Sequence, residues 1–141
     1  MAIKKLNPYV AFADGRAEEA IKLYERALGA KTEQVLRYGD MPQEKCAASD
    51  KNLVMHACLR IGDERLMLND LPPGHPVPRD SNMSVVIDVD DPADLTHKFE
   101  ALSAGGSVEV PLHDAFWGGK FGILVDALGV RWMFNSEQKR A

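Results

Sequence analysis

Long apolar runs, clustered cysteines and blocks of like charge are all missing from this 141-residue chain. No segment approaches the roughly 20 consecutive apolar residues that a membrane-spanning helix needs. No apolar stretch follows the charged opening from Met1 to Pro8, so neither a span nor a signal sequence is expected. The two cysteines, Cys46 and Cys58, stand outside any CxxC or zinc-ligand spacing, which points to free thiols in a reducing compartment, the cytoplasm. Lys and Arg number 17 against 21 Asp and Glu, a net charge of -4 with no basic run, so phosphate backbones and anionic membranes are poor partners. Neither nucleic acid nor membrane is expected to bind.

What is present is an ordinary globular composition, 45% hydrophobic and 27% charged, long enough for one domain or two small modules sharing a core. Residues 9–13 alternate, with Val10 and Phe12 on one face and Tyr9 and Ala11 on the other, which predicts a half-buried strand that Asp14-Gly15 breaks. Between Arg16 and Leu28 the apolar positions Ala17, Ala20, Ile21, Tyr24 and Leu28 recur at helical spacing, and Gly29 is a natural stop. Strands are expected at 32–38, 53–61 and 65–70, the last two joined by a tight Gly62-Asp63 turn. The polar stretch 39–52 is long for a connection in a compact domain, the kind that often carries function.

Pro72, Pro73, Gly74, Pro76 and Pro78 exclude regular structure across 71–81, which reads as a linker. The pattern then restarts. Residues 83–89 alternate with Val85, Ile87 and Val89 on the core face, and Asp91 as N-cap with Pro92 behind it opens a second helix. That helix, 92–104, carries Leu95, Phe99 and Leu102 on one face and ends at Gly105-Gly106; strands follow at 107–112, 121–126 and 130–135. The expected class is α+β, a single domain over 1–141 built from two β-α-β-β-β modules, 7–70 and 82–136, with the linker 71–81 between them. Each helix should cover one face of a four-stranded sheet, since each element has a single apolar face. The other faces are then available to form a curved mixed sheet around a cavity.

Two such modules, with Pro8-Tyr9-Val10-Ala11-Phe12, Ala17-Glu18-Glu19-Ala20 through Tyr24, Leu28-Gly29-Ala30, Met55-His56-Ala57, Leu59-Arg60-Ile61-Gly62-Asp63, Leu66-Met67-Leu68-Asn69-Asp70, Phe116-Trp117-Gly118-Gly119 and Asp126 with Gly129 and Trp132, resemble the vicinal oxygen chelate superfamily. This superfamily includes glyoxalase I, bleomycin- and fosfomycin-resistance proteins and extradiol dioxygenases, and the likeness is greatest to its small PhnB-like group. The methyltransferase label sometimes attached to that group has no support here, because no Gly-rich strand-to-helix turn for a nucleoside cofactor is present. Where the family has an Asp-Pro-Phe-Gly turn, this chain has Asp126-Ala127-Leu128-Gly129, an intact but less rigid turn. The resemblance also implies a homodimer, because open sheet edges are usually completed by pairing.

In metal-dependent members the ligands stand at the start of the first strand and on the last strand of each module, where divalent ions need His, Glu or Gln. Matching by Asp14 and Tyr24 places Tyr9, by Asp90-Asp91 Ser84, and by Asp126 and Gly129 Met133 at those positions, while the first module's last strand offers Met67, with Asn69 one step along the same face. These do not make a hard-metal site, so neither a metal nor another cofactor is expected. The expected ligand-binding residues are Tyr9, His56, Met67, Asn69, Ser84, Phe116, Trp117, Arg131 and Met133, a mixture of polar donors with soft thioether and aromatic groups. His56, mid-strand on the face away from the core, is the one weak candidate for catalysis, although a lone strand histidine is more often a structural hydrogen-bonding residue. Ser84 lacks a nucleophile-elbow pattern, and the Phe116-Trp117-Gly118-Gly119 loop is either a lid over a ligand or a plug.

The expected function is a small-molecule-binding protein of the glyoxalase and bleomycin-resistance type, independent of metal. Two alternatives stand beside it: a metal-dependent lyase, isomerase or dioxygenase with non-standard ligands, and a structural or interaction module with a closed cavity.

Overall fold

A computed structural model describes residues 2–40, 46–78, 81–116 and 118–136. The chain divides into two compact units, residues 1–77 and 78–141, so the boundary falls inside the Pro-rich stretch.

The first unit runs β1 (Tyr9–Phe12), α1 (Ala17–Leu28), β2 (Lys31–Arg37), β3 (Val54–Ile61) and β4 (Glu64–Asp70), with short 3-10 turns at Tyr38–Asp40 and Ala48–Asp50. Its mixed sheet has the order β1-β4-β3-β2, with β1 parallel to β4 and the other pairs antiparallel. β1 ends early because Asp14 (φ 59°) and Gly15 (φ 72°) both turn left-handed before the helix. No side chain caps α1 at Arg16, but its other end is closed by Gly29 at φ 69°, whose N–H reaches the Glu25 carbonyl while that of Ala30 reaches Tyr24. Ala17, Ala20, Ile21, Leu23, Tyr24, Ala27 and Leu28 are buried, as are Phe12, Val54, Ala57, Leu59, Leu66 and Leu68 of the sheet. A buried carboxylate fastens helix to sheet: Asp70, 1% exposed, accepts the Ala17 N–H at 2.9 Å and the Val54 N–H at 2.8 Å. The last residue of β4 thereby holds the first residues of both α1 and β3.

The second unit runs β5 (Val85–Asp88), α2 (Pro92–Ser103), β6 (Ser107–Asp114), β7 (Lys120–Val125) and β8 (Arg131–Asn135), ordered β5-β8-β7-β6 with β5 parallel to β8. Asp91 caps α2 by accepting the Ala93 N–H at 3.1 Å, with Pro92 in the first turn. β6 runs to Asp114, past the expected end at 112 and through Pro111. An edge position tolerates the missing N–H, and the register shifts between Val110 and His113. Gly106 enters β6 where a Cβ would collide with the Val125 carbonyl, so only glycine fits. The core joins Leu95, Phe99 and Leu102 to Leu124, Trp132 and Phe134, with Phe99 edge-on to Phe134 at 5.4 Å. The Asp126 turn is more firmly tied than expected from its Ala-Leu pair. Its Oδ1 accepts N–H groups from Leu128 and Val130, and its Oδ2 accepts the Trp132 indole N–H at 2.9 Å.

Candidate functional site

Because side chains alternate along strands, each sheet has a face turned from its own helix. In the first module that face carries Tyr9 and Ala11 from β1, Arg65, Met67 and Asn69 from β4, and His56, Cys58 and Arg60 from β3. Its register is fixed by Tyr9 opposite Met67, Met67 opposite Cys58, and Arg60 opposite Arg65. Tyr9 Oη lies 3.0 Å from His56 Nδ1, with ring centroids 5.6 Å apart. When the phenol donates, neutral His56 carries its proton on Nε2. Burial, reinforced by the Tyr38 phenol, raises the Tyr9 pKa above its ordinary 10.0, so the hydroxyl stays protonated and able to donate. Such a pair can hold a polar ligand group or pass a proton. Arg65, on the same face, gives its Nε to Glu33 at 2.7 Å, and this bond first, with Arg65's charge, holds the Glu33 carboxyl below its usual range.

The second module's corresponding face carries Arg131 and Met133, with Val86 opposite Met133, Asp88 opposite Asn135, and Ile123 and Phe121 from β7. Arg131 donates Nε to Glu109 at 2.9 Å and Nη1 to Ser84 Oγ at 2.9 Å. Ser84 therefore accepts from a guanidinium that also holds Glu109.

Register shows how the modules correspond. Arg65 pairs with Arg60 and Arg131 with Val125 across their hairpins, and Glu33 and Glu109 each sit in the register shift of the edge strand one strand further over, ion-paired to those arginines. Met67 then matches Met133, and Tyr9 matches Val86 where alignment through the helices indicates Ser84. Counted from the matched residues Ala11 and Asp88, residues 12–16 precede the first helix but only 89–91 the second, and this shifts the count by two. The chelate positions thus hold a phenol, two thioethers and a hydrocarbon, with Ser84's hydroxyl two residues before Val86. That donor set does not fit a divalent ion. Among the described residues no three of His, Cys, Asp or Glu gather as a metal cluster.

The structure brings Tyr9, His56, Met67 and Asn69 onto one face of the first sheet, and Ser84, Arg131 and Met133 onto one face of the second. Phe116 is 98% exposed in a tight turn closed by the Ala115 N–H to the Gly119 carbonyl, and Trp117 lies outside the described residues. His75, His97 and His113 are exposed. Glu33 and Glu109 escaped the sequence reading because a bulge re-aims a side chain that alternation alone would misplace. A cleft of about 260 Å³ in the first module, lined by Tyr38, Cys46, Ala47, Asp50, Leu53, Pro72 and Pro73, is smaller than the roughly 300–1,000 Å³ usual for small-molecule sites.

Two β-α-β-β-β modules with polar and thioether groups on the sheet faces turned from their helices define a glyoxalase-like α+β protein. The chain belongs to the Glyoxalase/Bleomycin resistance protein/Dioxygenase superfamily, whose family model matches residues 6–134. Protein YjdN of Escherichia coli is 31% identical over 139 residues, covering 92% of this chain and 93% of that protein. The crystal structure of protein PA1353 from Pseudomonas aeruginosa superposes with a TM-score of 0.86 at 37% identity, covering 97% of this chain and all of that one, 100%. A Bacillus cereus PhnB protein, described as a putative 3-demethylubiquinone-9 3-methyltransferase, gives 0.78 at 23% identity, covering 94% and 99% of the two chains, and shares the fold. No helix among the described residues is long and apolar enough to cross a membrane.

Proposed function

We propose that this chain binds a small molecule through hydrogen bonds and soft apolar contacts, without a divalent metal chelate. The observation that carries this reading is the Tyr9–His56 pair: a phenol at a chelate position and an imidazole 3.0 Å away share the sheet face turned from the helix. Met67 and Cys58 beside them supply polarizable packing that adapts to an aromatic or aliphatic body. The residues Tyr9, His56, Met67 and Asn69 form the first module's contribution; Ser84, Arg131 and Met133 form the second's, and Phe116 and Trp117 are the proposed lid. We assign the protein to the cytoplasm on the free state of Cys58 and Cys46, and to a homodimer on the open edges β1, β2, β5 and β6.

Metal analysis after equilibration with zinc, nickel or manganese, followed by dialysis, tests the metal-free reading. Sub-stoichiometric metal is expected, and a stoichiometric ion that His56→Ala removes would overturn it. Thermal-shift screening against aromatic and aliphatic metabolites tests binding: stabilisation lost in Tyr9→Phe or His56→Ala supports it, and a screen with no stabilising compound moves the chain to a structural role. Sedimentation measures the dimer.

A further inference from the structure

The pairings of the first module's sheet set three cations side by side on the face turned from the helix. Lys31 of β2 lies opposite Arg60 of β3, and Arg60 lies opposite Arg65 of β4. Directly opposed like charges destabilise a sheet. Among the described residues only Glu33 comes within ion-pair distance of this row, 2.7 Å from Arg65. Its carboxyl is held below the usual range first by that bond and Arg65's charge, then by the charges of Arg60 and Lys5, so one carboxylate serves a converging group of cations. The second module has no such surplus. Its equivalent row is Ser107, Val125 and Arg131, and Glu109 answers the single cation. Lys31 stands on an edge strand, where a charge guards against unwanted pairing, but β3 is an interior strand and that explanation does not reach Arg60. Arg60 is exposed, and among the described residues no hydrogen bond or ion pair engages its guanidinium.

This surplus shares its face with the Tyr9–His56 pair. Four matched positions hold hydrocarbon in the second module and a hydrogen-bonding or ionisable group in the first: Val86 and Tyr9, Phe121 and His56, Ile123 and Cys58, Val125 and Arg60. Arg60 and His56 are separated by about 13 Å of strand, at about 3.3 Å per residue, with Cys58 and its partner Met67 between them. A planar guanidinium with its donors unspent matches the paired oxygens of an oxyanion. Resting on the small-molecule reading above, we propose that the ligand of this face carries an oxyanion, a carboxylate or a phosphate ester, held by Arg60 with Lys31 and Arg65 beside it. Its apolar body crosses Cys58 and Met67 toward Tyr9 and His56.

Titration calorimetry of the full chain tests this with two acids and their neutral counterparts: phenylacetate against phenylacetamide, and phenyl phosphate against phenol. At least one acid should bind about tenfold more tightly than its counterpart, and should weaken as salt is raised. The tighter acid identifies the head group. Arg60→Gln should abolish the preference, whereas Lys22→Gln, which removes the same charge from the exposed side of α1, should keep it. Equal binding of acids and neutral counterparts overturns the anion inference and leaves ligand binding standing. So does an Arg60→Gln protein, folded by circular dichroism, that keeps the preference, or a Lys22→Gln protein that loses it to the same extent. Binding by none of the four, where the wider thermal-shift screen does find a ligand, overturns the anion inference alone; silence in both experiments overturns both readings.

Discussion

The two modules share a topology but differ in how they bury their helices and in what they place on the sheet face turned from the helix. Helix α1 buries seven residues, Ala17, Ala20, Ile21, Leu23, Tyr24, Ala27 and Leu28, whereas α2 buries Leu95, Phe99 and Leu102. Small Ala20 and Ala27 flank Tyr24 in α1 where Leu95 and Leu102 flank Phe99 in α2. The first helix can therefore approach closely and bury its flanks, while the second stands on a few large side chains. On the faces turned from the helices the matched pairs are Tyr9 with Val86, His56 with Phe121, and Cys58 with Ile123. The phenol, imidazole and thiol all fall in the first module. What both modules retain is the Arg–Glu pair at the bulge, the methionine and the asparagine. The comparison separates a repeated frame from chemistry confined to one copy.

The sharpest way to break that comparison is at the helix–sheet fastening. Asp70 accepts two backbone N–H groups where Ser136 in the second module accepts one, from Lys120 at 2.8 Å. Asp70→Ala should cost about 3 kcal/mol, since two buried donors lose their partner, and Ser136→Ala about 1 kcal/mol. Urea unfolding of the two variants measures the ratio, and equal losses would show that the fastenings are equivalent. Next comes packing beneath the helices. A Cβ on Gly122 would lie 2.9 Å from both Phe99 and Leu112 side-chain atoms, so Gly122→Ala should destabilise by about 1–2 kcal/mol. Ala57→Gly, the reciprocal change in the first module, should cost about 1 kcal/mol through lost packing and added chain entropy.

Smaller effects appear at the extremes of pH. Glu33, held below its ordinary 4.5 mainly by its bond to Arg65, contributes stability that is present above that value and lost as pH falls through its lowered one. Glu33→Gln should flatten the acid limb of a melting-temperature profile. An unchanged limb would assign no stabilising role to the pair, as is common for exposed ion pairs. Tyr9 has the opposite sign: its pKa is raised, so its contribution is complete below about pH 10 and declines as pH climbs through the raised value. Tyr9→Phe should lessen the loss of stability in alkali, an effect kept small by the 49% exposure of Tyr9.

Much of the frame was legible before any coordinates. Period-two alternation at 9–12, helical spacing through Tyr24, the Asp91-Pro92 start and the Gly62-Asp63 turn each follow from local backbone preference, and all lie where expected. The site was legible only as a face. Alternation placed Tyr9 and His56 on the side away from the helix, but their hydrogen bond depends on β3 and β4 bringing β1 into register, 47 residues away along the chain. Ser84 was matched to Tyr9 because a shorter link before α2 is invisible to a count anchored on the helices. Parity survived the error, since a two-residue shift keeps the face.

By itself the sequence determined the elements, their order and the apolar side of each, because these depend on residue type and short-range periodicity. Only the tertiary structure decided which strands pair, which glutamates the bulges turn onto Arg65 and Arg131, and that Asp70 and Asp126 spend their oxygens on distant backbone and indole donors. It alone left Asn69 and Asn135 with a buried oxygen unspent. Hydrogen-bond satisfaction is a property of closed three-dimensional surroundings, and a residue's neighbours along the chain do not contain it.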